Sequence, residues 1–244
     1  MKDMKERFDK ILYSKTPDFN EEEHKYAKEG KTYQSVTNFI SEFFPKFDQE
    51  RIAELSANKR TRETGEETTK EQILKEWTDI RDNGTLVHKV IEEAILNNSY
   101  NPDLYVGATK QGLQALRGLQ LIHDYVLFYP ELMIYDEELG LAGTIDLVAI
   151  TRSGEVHLID WKTNTKIRKE NKFESGSHEL TNTLHNSNYN KYMLQLNVYK
   201  KFINNLGLSV SGMFIPHIRP NYYEIYKIKE NDELVNSMLE VKNG

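Results

Sequence analysis

The segment from Gly143 to Asn164, GTIDLVAITRSGEVHLIDWKTN, reads as two apolar strands joined by a turn, yet it carries charge where a core tolerates none. Asp146 interrupts the first apolar run, and Asp160 and Lys162 end the second. A buried carboxylate is costly unless it is paired or binds a metal. Side chains alternate along a strand, so Thr144, Asp146, Val148 and Ile150 share one face of the first strand, and Leu158, Asp160 and Lys162 share one face of the second. A three-residue loop, Arg152-Ser153-Gly154, with Gly154 in the left-handed region sets Thr151 opposite Glu155. The same register makes Asp146 and Asp160 direct cross-strand partners, with Cβ atoms about 4.5–5.5 Å apart. Two carboxylates that close repel, and a cation that takes hard oxygen ligands, Mg²⁺ or Mn²⁺, relieves the repulsion. Lys162 lies about 6–7 Å farther along the same face. While protonated it cannot ligate a metal, but it can orient a water or stabilise charge on a phosphate. Two acids, a metal and a lysine suit metal-assisted phosphodiester hydrolysis. The spacing equally fits a structural salt bridge between Lys162 and either aspartate, and spacing alone does not choose.

The hairpin sits in a chain of 244 residues whose 38% hydrophobic content is enough for a real core, in one large domain or two small ones. No stretch approaches the roughly 18–20 apolar residues that span a bilayer. The opening MKDMKERFDK has no apolar signal region, so the expectation is a soluble intracellular protein with no membrane partner. The absence of cysteine excludes disulfides, thiolate zinc sites, iron–sulfur clusters and cysteine nucleophiles. With a net charge of −6, any nucleic-acid site has to be a local basic patch.

Residues 1–30 are charged and weakly patterned, and HKYAKEGKTYQSV suggests a small hairpin turning at Glu29-Gly30. Thr37 is an N-cap candidate for a short helix ending before Pro45, and another helix is expected over 46–58. The polar run NKRTRETGEETTKEQ reads as a connection or helix end. Helical periodicity returns from Ile73 to Ile80, breaks at Asp82-Asn83-Gly84, and resumes from Thr85 to Leu96. A long amphipathic helix is expected over 109–128. Strands follow at 132–138, 142–150 and 155–163, then a polar stretch, a helix at 191–205, strands at 209–217 and 222–228, and a short terminal helix. This order predicts an α/β or α+β fold with a mixed central sheet flanked by helices. One domain over 1–244 is expected: a mostly helical region over 1–82, a core over 83–230, and a terminal helix or tail over 231–244.

Asp146, thirteen intervening residues, then Asp160-Trp161-Lys162 resembles the core motif of the PD-(D/E)XK nuclease superfamily. Gly84 to His88, GTLVH, resembles the G-x-x-x-H motif of its RecB-like exonuclease branch; GTID, Gly143 to Asp146, resembles GxxD; and QLNVY, Gln195 to Tyr199, resembles QxxxY. DWKT together with QLNVY is most similar to the mitochondrial genome maintenance exonuclease and phage-encoded exonucleases. These motifs span about half the chain. The opening YQSVTNFISEFFPKFD is also similar to those phage proteins.

The resemblance implies a restriction-endonuclease-like core with the metal at the sheet's edge, and cleavage of DNA with one or two metals. It implies that His88, Asp146 and Asp160 are Mg²⁺ or Mn²⁺ ligands, with the Trp161 carbonyl as a backbone ligand and Lys162 as the catalytic lysine. Gln195 and Tyr199 become supporting or DNA-contacting residues, and Glu131 resembles a glutamate preceding the first core strand. Some relatives carry a four-cysteine iron–sulfur cluster, which a chain without cysteine cannot hold. No GxxxxGK[ST] loop accompanies the motifs, which implies a stand-alone nuclease or a nuclease subunit. The expected substrate is single-stranded DNA or free ends, in the cytoplasm of a bacterial or phage-infected cell, alongside recombination or replication proteins. The rivals are a structure-specific endonuclease of the same superfamily and a catalytically idle nucleic-acid-binding module.

Read without the resemblance, His88 beside the apolar stripe Leu86, Val90, Ala94 is more often a satisfied core histidine than a ligand, and Tyr199 equally a packed aromatic. From Lys162 to Lys172, five cations (Lys162, Lys166, Arg168, Lys169 and Lys172) against Glu170 alone leave a charge of +4, which suits phosphate or an ordinary solvated loop. The polar stretch 173–190 is expected to be mobile until DNA orders it, with Phe173, Tyr189 and Tyr192 available to stack on bases.

Overall fold

The computed structural model describes residues 1–23, 25–105, 108–119 and 124–243. Its organising element is the strand β5 (Leu141–Thr151), buried on both faces over most of its length. A strand so placed needs partners on both edges and a layer on each face. β4 (Tyr125–Asp136) runs antiparallel along one whole edge, from Tyr125 opposite Thr151 to Asp136 opposite Leu141. The other edge is shared. β3 (Lys31–Ser35) pairs in parallel with Leu141 and Ala142, and β6 (Val156–Ile159) pairs antiparallel with Leu147 to Ile150. Between them, Gly143 to Asp146 have no strand partner on that edge, so the sheet forks there. β7 (Val210–Ile218) lies parallel beside β6, and β8 (Tyr223–Lys227) closes that side. β1 (Asp18–Asn20) and β2 (Lys25–Lys28) extend the sheet beyond β3, making eight strands of mixed direction.

Alternation along β5 distributes its side chains between two helical layers. Val148 and Ile150 face a cluster built from α1 (Lys2–Leu12), α2 (Val36–Ser41), α6 (Asn188–Asn205) and α7 (Asp232–Asn243). Leu147 and Ala149 face the other cluster, from α4 (Lys70–Leu96) and α5 (Lys110–Leu119). α3 (Gln49–Thr64) packs on the first half of α4 through Ala53, Ala57 and Ile73. The mixed sheet flanked by helices is the architecture that the element order predicts.

Most element positions follow the sequence. The β5–β6 register is as expected, with Val148 opposite Leu158, Thr151 N–H donating to Glu155 O at 3.0 Å, and Gly154 at φ 89°. The Glu29-Gly30 turn joins β2 to β3, both residues at positive φ. Three expectations change. Ser35, not Thr37, caps α2, its hydroxyl accepting from the Asn38 N–H. The helix expected over 109–128 ends at Leu119; residues 120–123 lie outside the described ones, and Tyr125 onward is strand, because Tyr125 to Tyr129 complete the edge of β5. The Asp82-Asn83-Gly84 break is absent and α4 runs through it for 27 residues. A helical glycine costs about 1 kcal/mol against alanine, but here Asn83 donates to Gln111 Oε1 at 2.6 Å and Gly84 packs on Thr163, so tertiary contacts outweigh the local preference. A fully formed Thr69/Gln72 capping box starts this helix.

The fork in the sheet is filled by α6. A Cβ at Gly143 would collide with the Tyr199 hydroxyl and lie 2.8 Å from a ring carbon. Tyr199 is 3% exposed, so its ring has nowhere to retreat. The expected outcome for Gly143→Ala is a loss of about 1–3 kcal/mol, the usual cost of overpacking a core, read as a lower melting temperature. Tyr199→Phe in the same chain should recover part of it; an unchanged melting temperature in Gly143→Ala would mean that the two motifs do not press on one another.

Candidate metal centre

Asp146 lies one step beyond the last β5–β6 rung, Leu147 opposite Ile159. From here the chain after β6 stays stitched to β7 while leaving β5. Asp160 N–H donates to Phe214 O and Lys162 N–H to Pro216 O, both at 3.0 Å, and Lys162 O accepts from Ile218 N–H at 2.8 Å. The Trp161 N–H on the opposite side is taken by the Asp146 carboxylate, Oδ2, at 2.8 Å. The expected Asp146–Asp160 pairing is thus in register but not a rung of the ladder. On the other edge of β5, the flanking pairs Pro130–Leu147 and Leu132–Ile145 place Glu131 opposite Asp146. Glu131 has φ 46°. A non-glycine residue there stores strain on the order of 1–3 kcal/mol. Glu131 and Asp146, from neighbouring strands, therefore lie at one level of the sheet, with Asp160 just beyond the end of β6.

His88 arrives from α4. Gly84, one turn earlier, has no side chain to hold the helix off: a Cβ there would sit 3.0 Å from Thr163 Oγ1. That close approach lets His88 Nε2 reach Trp161 O at 3.1 Å, with Nδ1 3.4 Å from Glu131 Oε1 and 3.6 Å from Asp146 Oδ2. His88, Glu131 and Asp146 each offer a ligand atom, and these atoms all lie within 4.8 Å of one another, close enough to hold one metal ion.

Charge explains the protonation of the cluster. Burial opposes charge on the His88 ring, but the Asp146 and Glu131 carboxylates outweigh it and raise the pKa to about 9. At neutral pH the metal-free ring is therefore an imidazolium, donating Nε2–H to the Trp161 carbonyl and turning Nδ1–H toward the acids. Burial pushes the Asp160 carboxyl up, Lys162 pulls it back and Asp146 adds to the rise. Burial likewise opposes the Lys162 ammonium, but Asp160 and Asp146 hold it above its ordinary range.

The residues expected to act together divide in space. His88, Asp146 and Glu131 form the cluster. Asp160, 2% exposed, turns to Lys162, its Oδ2 2.5 Å from Nζ. That contact is an ion pair without good hydrogen-bond direction, and Asp160 Oδ2 has no hydrogen-bond donor. The Lys162 ammonium also lies 4.7 Å from the Tyr192 ring centre, so Tyr192 is its aromatic platform. The Trp161 carbonyl faces His88. Gln195 hydrogen-bonds the hydroxyl of Tyr199 one turn along α6, and Tyr199 closes on Gly143. Lys166, Arg168, Lys169 and Lys172 are exposed on the segment after the cluster, with Lys169 over the Tyr189 and Tyr226 rings.

The stretch expected to be mobile is hydrogen-bonded throughout. Gly176 N–H donates to Leu184 O, Asn186 N–H to Glu174 O, and both Ser177 N–H and Thr181 Oγ1 donate to the Phe43 carbonyl. Polarity alone did not reveal the anchor, because Phe43 lies far earlier in the chain. Sequence reasoning also missed Gln111. Its amide donates to Thr163 O at 2.9 Å and Ile218 O at 2.7 Å, tying α5 to the segment after β6 and to the end of β7 beside it. Nothing local marks that glutamine, since both partners are distant backbone carbonyls.

No family model matches the chain, and no curated protein does. Among solved structures, the protein SSO0001 aligns over 100% of this chain and 86% of its own, with 13% identity and a TM-score of 0.39. A candidate exonuclease from Eubacterium rectale aligns over 86% of this chain and 77% of its own, with 15% identity and a TM-score of 0.41. Both are too distant to carry a functional argument, which rests on the site itself.

Proposed function

We propose that the protein is a metal-dependent DNA exonuclease of the PD-(D/E)XK type, hydrolysing phosphodiester bonds from free ends and preferring single strands. The observation that carries this reading is the convergence of His88, Glu131 and Asp146 within 4.8 Å, one residue's backbone away from the ion pair of buried Asp160 with half-buried Lys162. One imidazole and two carboxylates suit Mn²⁺ or Mg²⁺, the nitrogen favouring Mn²⁺. Asp160 stays paired with the Lys162 ammonium and stands beside the three ligand groups rather than among them. When bound, the ion supplies a Lewis acid for a phosphoryl oxygen and lowers the pKa of water.

The chain's own groups do the rest. Asp160 fixes the Lys162 ammonium, which keeps its proton and donates to a phosphate oxygen or positions water. Glu131 and Asp146 hold His88 Nδ1 at the cluster. Lys166, Arg168, Lys169 and Lys172 bind the strand's phosphates. The direct test is Mg²⁺- or Mn²⁺-dependent digestion of end-labelled single-stranded DNA beside a closed circle. Loss of the linear form alone is expected; cutting of the circle means an endonuclease, and binding without hydrolysis means an idle module.

Asp146→Asn, which keeps an oxygen to accept the Trp161 N–H, should remove cleavage while the fold survives. Turnover near wild type with Mg²⁺ would sink the metal assignment. Lys162→Ala should lower turnover by at least ~10²-fold, the scale of a lost transition-state contact, while DNA retention on a filter is unchanged. Normal turnover would return Lys162 to a purely structural ion pair.

Protonation gives a third expectation. The His88 pKa is raised in the fold, from 6.5 to about 9. Its stabilisation of the metal-free protein is therefore complete below about pH 6.5 and lost as pH rises through about 9. Metal binding needs a neutral ring, so it releases a proton. Calorimetric Mn²⁺ titrations at pH 7 in two buffers of different ionisation enthalpy should show close to one proton released, and none in His88→Ala.

A further inference from the structure

Phe173 is 99% exposed, more than any other large apolar side chain among the described residues. One apolar residue in water needs no explanation by itself. Here the backbone beneath the ring is held at many points. Asn164 Nδ2 and Asn188 Nδ2 donate to the Lys166 carbonyl at 2.6 and 2.8 Å, and Asn188 Oδ1 accepts from the Arg168 N–H at 2.7 Å. Asn171 Nδ2 donates to Asn186 O at 3.0 Å, while its Oδ1 accepts the Phe173 N–H at 3.1 Å. The carbonyl and the carboxylate of Glu174 both accept from Asn186. The asparagines of this region are thus spent on fixing the chain, and the Phe173 ring is presented to solvent on a framework already ordered. A group held in place before binding loses less entropy when it binds.

Three aromatics stand near the cationic segment, and two have work elsewhere. Tyr192 lies under the Lys162 ammonium, 4.7 Å from ring centre to Nζ, and Tyr189 lies under Lys169 and against Tyr226. Phe173 is the third. Lys172 precedes it, and Arg168 and Lys169 are exposed on the same segment.

We infer that Phe173 is a stacking site for one unpaired nucleobase, on a single strand whose phosphates lie along Arg168, Lys169 and Lys172. Each base has a flat face, so an aromatic ring beside cations holds single strands with little regard to sequence. In a duplex those faces are covered by neighbouring base pairs, and only the terminal pair offers one, so the ring discriminates by strandedness. The surroundings favour a base over a protein partner. Asn171, Lys172, Glu174 and Ser175 are polar, whereas a protein interface is built around a broader apolar core. A base needs one ring and a cation for its phosphate. Identifying that strand as the substrate rests on the nuclease reading; the stacking does not.

The test is binding in EDTA, where no metal-dependent cleavage occurs, to fluorescein-labelled oligo(dA) and to a strand of equal length with tetrahydrofuran in place of every base. Phe173→Ala should weaken oligo(dA) binding about tenfold, the scale of one stacked base, and leave the base-free strand as in wild type. Phe173→Trp should retain the preference for bases, and Phe173→Leu should lose it. Affinity for a hairpin-capped duplex, which has no open end, should not change in Phe173→Ala. Equal weakening of both strands would mean that the ring shapes the loop rather than meeting a base. Wild-type affinity in Phe173→Ala, full binding in Phe173→Leu, or a Phe173-dependent dimer on sedimentation would each overturn the site. Cleavage with Mn²⁺ is read separately. A chain that never cleaves but shows the Phe173-dependent base preference would sink the nuclease reading and keep the stacking site. A chain that cleaves single strands with the same KM in wild type and Phe173→Ala would do the reverse.

Discussion

The hydrogen bond from the Trp161 N–H to the Asp146 carboxylate takes the place of a backbone bond between β5 and the chain leaving β6. Had that backbone bond formed, the ladder would have continued and the two strands would have stayed at ordinary spacing. With a side chain as acceptor, β5 and β6 part at the level of the acids; His88 from one helix and Tyr199 from another close on the gap, while Glu131 comes from β4 on the far edge of β5. The two glycines nearest the site serve the same opening: Gly143 leaves room for an aromatic ring, and Gly84 lets a helix touch a strand end. The charged cluster is then supported by groups that carry no charge, with Gln111 gripping the segment after β6 and the end of β7.

Strain and repulsion are concentrated at this level of the sheet. Glu131 holds a left-handed backbone, its carboxylate and that of Asp146 lie close together, and Lys162 is half-buried against Asp160. Each feature alone would destabilise a sheet. They persist because both apolar clusters pack on the same central strand, so β5 is fixed from both faces. A rigid core makes it possible to keep like charges close, and like charges kept close make a place for a cation.

How much of this was legible in the sequence depends on range. The β5–β6 register followed from Gly154 and the alternation around it, because both act over a few residues. The hairpin at Glu29-Gly30 was legible for the same reason. Pattern also marked Asp146, Asp160 and Lys162 as costly, whatever they do. It did not show that Asp160 would turn to Lys162 while Glu131 came forward to His88, because that choice is made by side-chain directions around the fork. The helix break at Asp82-Asn83-Gly84 misled because its residues are turn-formers by local preference and contact residues by position. The hydrogen bonds that hold the loop after the site were not legible in its polarity, because their anchor, the carbonyl of Phe43, is remote.

The parallel pairing of β3 with β5 bears on how the chain is made. Gln34 and Ser35 meet Leu141 and Ala142, more than a hundred residues later. On a ribosome the β2–β3 ribbon emerges with its outer edge unpaired, and its partner strand follows only after all of α3, α4 and α5. Contacts so far apart in sequence form slowly, and an unpaired strand edge is open to other chains while it waits. β1 covers the far edge of β2, so the edge that waits is that of β3, Lys31 to Ser35, of which Gln34 and Ser35 pair with β5. A strand so short, running straight into α2, offers two nascent ribbons little to pair through, so β3 is kept for its own β5.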